Sequence, residues 1–200
     1  MIQSERFRGR KPRFIGEDEL KKYAVLVPFI NREDEIHILF EIRNHDLKRN
    51  PGEICFPGGR LELDESLEDC ALRETAEELL VDKNQITIYG PSDIYFSPFN
   101  FIVYPYVGEI KGYKNSYSKH EVADIVSIPL DYFLTYKPEL YISDLVNQPP
   151  KDFPYEWIPG GENYPFAKGR YEILFYRYKD FIIWGMTAKI LNSVINLIGD

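Results

Sequence analysis

The segment GRLELDESLEDCALRETAEELLV, residues 59–81, joins a glycine turn to an acidic helix. Asp64 or Ser66 is the predicted N-cap, because both residue types accept hydrogen bonds from backbone N–H groups at helix starts. The helix is predicted to end near residues 81–84. Its apolar face consists of residues at helical spacing, namely Leu72, Ala76, Leu79 and Leu80. The segment therefore predicts a sharp turn followed by one amphipathic helix.

Three carboxylates of this helix, Glu74, Glu77 and Glu78, are spaced so that they project from one side. Like charges so placed repel each other, so they are either solvated or used to hold a cation. Hard divalent cations take carboxylate oxygens as ligands. A solvated acidic face paired with Arg73 is the simpler explanation of the triplet taken alone.

The charged residues around the triplet follow a more specific spacing. Gly59 precedes Glu65 by six positions, and Glu65 precedes Arg73 by eight. This run resembles the Nudix box, G-x5-E-x7-R-E-U-x-E-E-x-G-U, in which U is aliphatic. Thr75 stands where the box has an aliphatic residue, and Leu80 stands where it has glycine. Neither residue would supply a ligand, so the Leu80 exchange bears on how the helix ends.

The resemblance implies an α/β fold, a Nudix-type α/β/α sandwich with a mixed central sheet. In such a fold, Glu74, Glu77 and Glu78 would be the metal ligands that gather Mg²⁺ or Mn²⁺ around a diphosphate. Arg73 would orient these carboxylates through an ion pair, and Glu65 would brace the loop before the helix. The metal would neutralise the diphosphate and activate a water, so positioning and charge would carry most of the rate.

Glu121 is a candidate for a catalytic role outside the box. It stands directly before a predicted strand, residues 122–128, and could serve as a fourth metal ligand or as the general base. An ordinary exposed glutamate at a strand end explains it equally well. In that case Glu77 is the alternative base.

The sequence before the box, LFEIRNHDLKRNPGEICFPGG at residues 39–59, carries a second motif. It resembles the signature L-L-T-x-R-[SA]-x3-R-x3-G-x3-F-P-G-G of the coenzyme A pyrophosphatase branch of Nudix enzymes, and Arg43, Gly52 and residues 56–59 match it in register. The chain departs from the signature at Phe40, Glu41, Asn44 and Lys48, with Glu41 in the place of a threonine. The resemblance implies hydrolysis of coenzyme A to 4′-phosphopantetheine and adenosine 3′,5′-bisphosphate.

Basic residues of this second motif are candidates for substrate binding. Arg43, Lys48 and Arg49 place three cations in a loop that leads to the glycine turn, where phosphates of the substrate could be held. Gly58 and Gly59 of that turn complete the predicted substrate-binding set. For each cation taken singly, a solvated basic loop is the competing explanation.

Composition limits the possible partners. The 200 residues include 24 Lys and Arg against 32 Asp and Glu, and the resulting net charge of −8 disfavours attraction to nucleic acid. No apolar stretch approaches the roughly 20 residues that span a bilayer, and no secretory signal is recognisable, so we expect no membrane partner and a cytoplasmic location. The two cysteines, Cys55 and Cys70, give no zinc spacing. The expected partner is a small nucleoside diphosphate derivative.

We predict a basic N-terminal arm over residues 1–22 and a Nudix hydrolase domain over residues 23–200. Within the domain, residues 149–170 are rich in proline and aromatic residues and predict a long inserted loop. Its aromatic side chains could line a lid, pack the loop down or join two copies in a homodimer. Strands are predicted at residues 23–30, 36–42, 54–56, 85–89, 101–107, 122–128, 173–178 and 181–184, and a last helix at 187–198.

Two other functions compete with coenzyme A hydrolysis. A Nudix hydrolase of ADP-ribose, dinucleotides or nucleoside triphosphates would carry the same box, and the signature before the box is the feature that discriminates against it. A Nudix-fold sensor that binds a nucleotide without cutting it is the alternative from another class. Intact Glu74, Glu77 and Glu78 argue against a sensor, since binding alone does not require a metal cluster.

Overall fold

A computed structural model describes residues 7–199 of the chain. Eight strands form the central sheet: β1 (Lys21–Arg32), β2 (Glu35–Arg43), β3 (Ile54–Cys55), β4 (Gly58–Arg60), β5 (Ile86–Pro91), β6 (Tyr95–Ser97), β7 (Phe101–Ile110) and β8 (Val122–Pro129). The main path through the sheet is β3-β2-β1-β7-β5, with β4 on β1, β6 on β7 and β8 on β2. Because β1 and β7 are parallel while their other neighbours are antiparallel, the sheet is mixed, as predicted.

Strands β1 and β2 separate from each other within this sheet. They pair beside their hairpin turn, over residues 29–38. Further along, Glu41 of β2 lies opposite Cys55 of β3, whereas Val25 of β1 lies opposite Gly58 of β4. The resulting fork between β1 and β2 admits the chain segment that leads into the acidic helix.

Three helices complete the fold, α1 (Leu67–Leu79), α2 (Leu130–Thr135) and α3 (Gly185–Gly199). Alternate side chains of β2 point to opposite faces of the sheet, so Leu39 packs with Leu79 of α1. On the other face, Phe40 belongs to a buried cluster with Phe133 of α2 and Leu191 of α3. The sheet thus lies between helices, and the predicted α/β/α sandwich is confirmed.

The acidic helix begins as predicted but ends earlier. Ser66 is its N-cap, and the Ser66 hydroxyl accepts a hydrogen bond of 3.0 Å from the Asp69 N–H. The helix ends at Leu79 rather than near residues 81–84, because Leu80 adopts a left-handed conformation with φ of 50°. The Ser116 hydroxyl donates to the Leu79 carbonyl at 2.7 Å and so satisfies one of the terminal carbonyl groups.

A second sheet has the order β11-β10-β9 and comprises β9 (Glu139–Val146), β10 (Lys168–Tyr178) and β11 (Phe181–Trp184). The strands predicted at residues 173–178 and 181–184 correspond to β10 and β11, which form an antiparallel hairpin, and the predicted last helix is α3. Strands β4, β6 and β9 and helix α2 were not predicted. The proline-rich loop is shorter than expected, since β10 already begins at Lys168, and within it Phe153 contacts Tyr155 with ring centroids 5.0 Å apart.

Residues 1–6 of the predicted N-terminal arm lie outside the described part of the chain. Within that part, β1 begins at Lys21, and Arg13 forms ion pairs with Glu17 and Asp18. The division into arm and domain stays a prediction. Among residues 7–199, no helix is long and apolar enough to cross a membrane.

Candidate active site

The glycine turn is packed directly against α1. The Gly58 N–H donates a 2.8 Å hydrogen bond to Glu78 Oε2. A Cβ atom on Gly58 would lie 2.4 Å from the Ala24 carbonyl oxygen of β1, and one on Gly59 would lie 2.2 Å from the Glu74 carboxyl carbon. Both separations are shorter than atoms tolerate. A side chain at Gly58 would clash with backbone, so only glycine fits there against β1, whereas a side chain at Gly59 would displace the end of the Glu74 side chain.

Arg73 forms ion pairs with three carboxylates of the predicted Nudix box. Its guanidinium group donates to both carboxylate oxygens of Glu65, at 2.8 and 3.1 Å, in a bidentate ion pair. The Arg73 Nη1 atom also donates to Glu74 at 2.9 Å and to Glu77 at 3.3 Å. The hydrogen bond from Arg73 lowers the pKa of Glu65 to about 2. The loop before α1 is therefore tied to the middle of the helix by charge.

The carboxylates of α1 differ in their surroundings. Glu78 is buried, and burial together with repulsion from Glu41 raises its pKa to about 9. Burial also raises the pKa of Glu74 above its ordinary value, against the opposing effect of Arg73. Glu77 is exposed at its side chain and contacts Arg73. Negative charge is thus costly at Glu74 and Glu78 unless a cation compensates it.

Glu41 is a site residue that the sequence did not reveal. It is 1% exposed, and the Cys55 thiol donates to its Oε1 atom at 3.2 Å. Its Oε2 atom is buried and has no hydrogen-bond partner among the described residues. Burial raises the pKa of Glu41 to about 7. The one sequence signal for Glu41 was its departure from the threonine of the signature. The residue pattern of β2 by itself does not indicate a buried carboxylate at this position.

Glu121 lies in a loop that contacts both motifs. The Asn44 N–H donates to the Glu121 carbonyl at 2.8 Å, and the Ser118 N–H donates to the Glu78 carbonyl at 2.7 Å. The charge of Glu121 contributes to the raised pKa values of Glu41, Glu74 and Glu78. Its carboxylate therefore acts on the same group of acids, although its residue is exposed.

The three basic residues of the second motif differ in their exposure to solvent. Arg43 is half-buried, its charge opposes the rise in the pKa of Glu41, and its Nε atom donates to the Arg49 carbonyl at 3.4 Å. Lys48 and Arg49 are exposed at the surface. Arg43 therefore belongs to the surroundings of the carboxylates, whereas Lys48 and Arg49 are exposed residues of the segment that follows Arg43.

The chemistry of the donor set fits a hard divalent cation, since the donors are carboxylate oxygens whose combined charge exceeds that of Arg43 and Arg73. Within residues 7–199, no three Asp, Glu, His or Cys side chains form a group that would hold a metal ion as they stand. Arg73 occupies Glu74 and Glu77, and the Gly58 N–H occupies Glu78. Each of these contacts uses one oxygen of its carboxylate, so the second oxygen of each remains for a cation.

A mixed sheet between helices, with buried acids at a glycine turn, defines an α/β protein with a cation-attracting site. Within that class the chain belongs to the Nudix family, because residues 20–143 match the family model described as the NUDIX domain. Members of this family act on small nucleotide derivatives and generally use divalent metals such as Mg²⁺ or Mn²⁺.

Two curated relatives and one solved structure illustrate this membership. The chain is 34% identical over 134 residues to the peroxisomal coenzyme A diphosphatase NUDT7 of Mus musculus, a match that covers 66% of this chain and 56% of that protein. It is 27% identical over 184 residues to the uncharacterized Nudix hydrolase NudL of Pectobacterium atrosepticum, a match that covers 90% of this chain and 84% of that protein. A MutT/nudix family protein from Enterococcus faecalis, 13% identical, aligns with a TM-score of 0.54 over 98% of this chain and 67% of its own, which shows the fold alone.

We predict that Glu65→Gln lowers the free energy of unfolding at neutral pH and that this loss disappears in acid. Arg73 lowers the pKa of folded Glu65 from 4.5 to about 2, so the carboxylate stabilises the fold fully above the unfolded value. That stability is lost as the pH falls from 4.5 towards about 2. Urea unfolding of both proteins across this range measures the difference, and the exposed Glu62→Gln is the control. A difference that does not change with pH would contradict the ion-pair explanation.

Proposed function

We propose that the chain hydrolyses the diphosphate linkage of coenzyme A or its derivatives, with a divalent metal, to 4′-phosphopantetheine and adenosine 3′,5′-bisphosphate. One observation carries this proposal: the half-buried carboxylate of Glu74 and the buried carboxylate of Glu78 lie against the Gly58–Gly59 turn, to which the segment after Arg43 leads. Water would attack one phosphorus of the linkage, the bond from that phosphorus to the bridging oxygen would break, and the other phosphate would leave carrying the bridging oxygen.

Glu74, Glu77 and Glu78 are the proposed ligands of Mg²⁺ or Mn²⁺. Such a cation would neutralise the diphosphate and make an attacking water more acidic. Arg73 is the proposed positioning residue, because it already contacts one carboxylate oxygen of Glu74 and one of Glu77. Glu65 would hold Arg73 in place from the loop before the helix.

Glu121 is the proposed general base or fourth ligand. Its loop is hydrogen-bonded to α1 through Ser118 and to the second motif through Asn44, so the backbone of Glu121 keeps a fixed position relative to both. A base so held would take the proton from the attacking water. Glu77, which is exposed beside Arg73, is the alternative base.

Substrate recognition is assigned to Arg43, Lys48 and Arg49, with the backbone of Gly58 and Gly59 next to the diphosphate. The name of the mouse relative, a coenzyme A diphosphatase, supports this assignment, although the match spans only 56% of that protein. Arg43 offers a planar fork to phosphate oxygens, whereas the exposed Lys48 offers a mobile point charge. The cytoplasmic location and the homodimer stay predictions.

The first test is a substrate panel with products identified by mass. With Mg²⁺ present, we expect coenzyme A to yield 4′-phosphopantetheine and adenosine 3′,5′-bisphosphate faster than ADP-ribose, a dinucleotide or a nucleoside triphosphate is cleaved. Omission of the metal is the control and should stop the reaction. Faster cleavage of ADP-ribose would favour the broader Nudix activity, and nucleotide binding without any cleavage would favour a sensor.

We expect Glu78→Gln to lower kcat by at least ~100-fold, and Glu74→Gln to behave similarly, because the charge that attracts the metal is lost. The fold should survive in Glu78→Gln, since glutamine retains an acceptor for the Gly58 N–H. Circular dichroism and steady-state rates at saturating Mg²⁺ check both expectations. Glu68→Gln, an exposed change on the same helix, is the matched control. Near-normal rates in the first two variants would show that the helix is not the metal site.

A further prediction concerns the 3′-phosphate of coenzyme A. If Arg43 and Lys48 bind it, alanine at either position should raise KM roughly 10-fold for coenzyme A and much less for dephospho-coenzyme A, since a charge-assisted hydrogen bond is removed. Steady-state kinetics on both substrates measures the ratio, with Lys83→Ala as the control. Equal losses on the two substrates would remove the 3′-phosphate role from these residues.

A further inference from the structure

Glu41 is the most buried carboxylate of the site, and only one of its two oxygens has a hydrogen-bond partner among the described residues. It lies on β2 inside the fork between β1 and β2, and it is 1% exposed. The Cys55 thiol donates to Oε1, and Oε2 has no partner within residues 7–199. An unpartnered buried carboxylate oxygen costs free energy, so its retention calls for a compensating ligand.

The sequence motif makes this carboxylate unusual. The coenzyme A pyrophosphatase signature has threonine where this chain has Glu41. Threonine at a buried strand position needs one hydrogen bond at most, whereas a carboxylate adds a charge and two acceptor oxygens. The exchange therefore changes the charge of the site and not merely the packing of β2.

The surroundings of Glu41 indicate which ligand would compensate it. Its charge interacts with the carboxylates of Glu74, Glu78 and Glu121, which come from α1 and from the loop before β8. Arg43 on the same strand provides a positive charge nearby. Negative charge on acids from three separate elements converges on one region, and a compact divalent cation would neutralise more of it than a single guanidinium group can.

We propose that Glu41 is an additional ligand of the divalent cation and meets it with Oε2 from the sheet side, opposite the carboxylates of α1. This proposal rests on the proposed function, since it assumes the cation that Glu74 and Glu78 would hold. Glu41 Oε2 is buried and has no partner within residues 7–199, so it is free for this role, as are the carboxylate oxygens of α1 that Arg73 and Gly58 do not use. Glu41 thereby gives this chain one more charged ligand than the signature supplies.

Direct Mn²⁺ binding tests this role without relying on turnover. Glu41→Gln retains an oxygen that can accept from Cys55 but removes the charge, so we expect Mn²⁺ affinity to fall ~10-fold, as measured by the electron paramagnetic resonance signal of free Mn²⁺. The metal-free melting temperature should stay equal or rise, because a buried charge is lost. The increase in melting temperature caused by Mn²⁺ should shrink. Glu41→Thr, which restores the signature residue, should behave in the same way.

Two comparisons make the result decisive. If Glu41 serves only the packing of β2 and Cys55, then Glu41→Gln will lower the metal-free melting temperature and leave Mn²⁺ affinity unchanged, which overturns the proposal. Glu78→Gln is measured in parallel. Weaker Mn²⁺ binding in Glu78→Gln but not in Glu41→Gln rejects the role of Glu41 alone, whereas unchanged binding in both also rejects the metal site on α1. Glu68→Gln should bind Mn²⁺ like the unaltered protein.

Discussion

The close contact between the glycine turn and α1 is the constraint on which the rest of the site depends. Gly58 fits beneath Glu78 and against Ala24 only because it has no side chain, and Gly59 leaves its space to the Glu74 carboxylate. The helix can therefore lie with its acids directly over the backbone of the turn. Every other feature of the site is arranged around that contact, from the ion pairs of Arg73 to the loop that carries Glu121.

The site is electrostatically unbalanced in a way that suits its proposed chemistry. Burial raises the pKa of Glu41 and of Glu78, so keeping both ionised near neutral pH is unfavourable in the protein alone. Arg73 neutralises the outer part of the cluster, next to Glu65 and Glu77, but its contacts do not extend to the inner acids. The inner acids remain available to a ligand that brings its own positive charge, such as a metal together with a diphosphate.

The sequence predicted those features whose chemistry and spacing are local. The order of Glu65, Arg73 and the helical acids along the chain is enough to imply one helix and one ion pair. Glu41 was not predicted because both faces of β2 are buried over Ile38–Glu41, and the burial of this position depends on neighbours such as Ile125 of β8, which is far away in the chain. Strand β9 was not predicted, because its largely exposed side chains lack the apolar alternation that indicates a half-buried strand.

The parallel pairing of β1 with β7 also has a kinetic consequence. Lys21 pairs with Phe101, so the paired residues stand 80 positions apart in the sequence. Closing so long a loop costs entropy before any contact is gained, and parallel strands with distant partners assemble slowly. During synthesis, the strand that supports the glycine turn therefore has an unpaired edge until β7 has emerged. The support of the glycine turn is therefore completed late in folding, and until then β1 presents an unpaired edge that is open to misassembly with another chain.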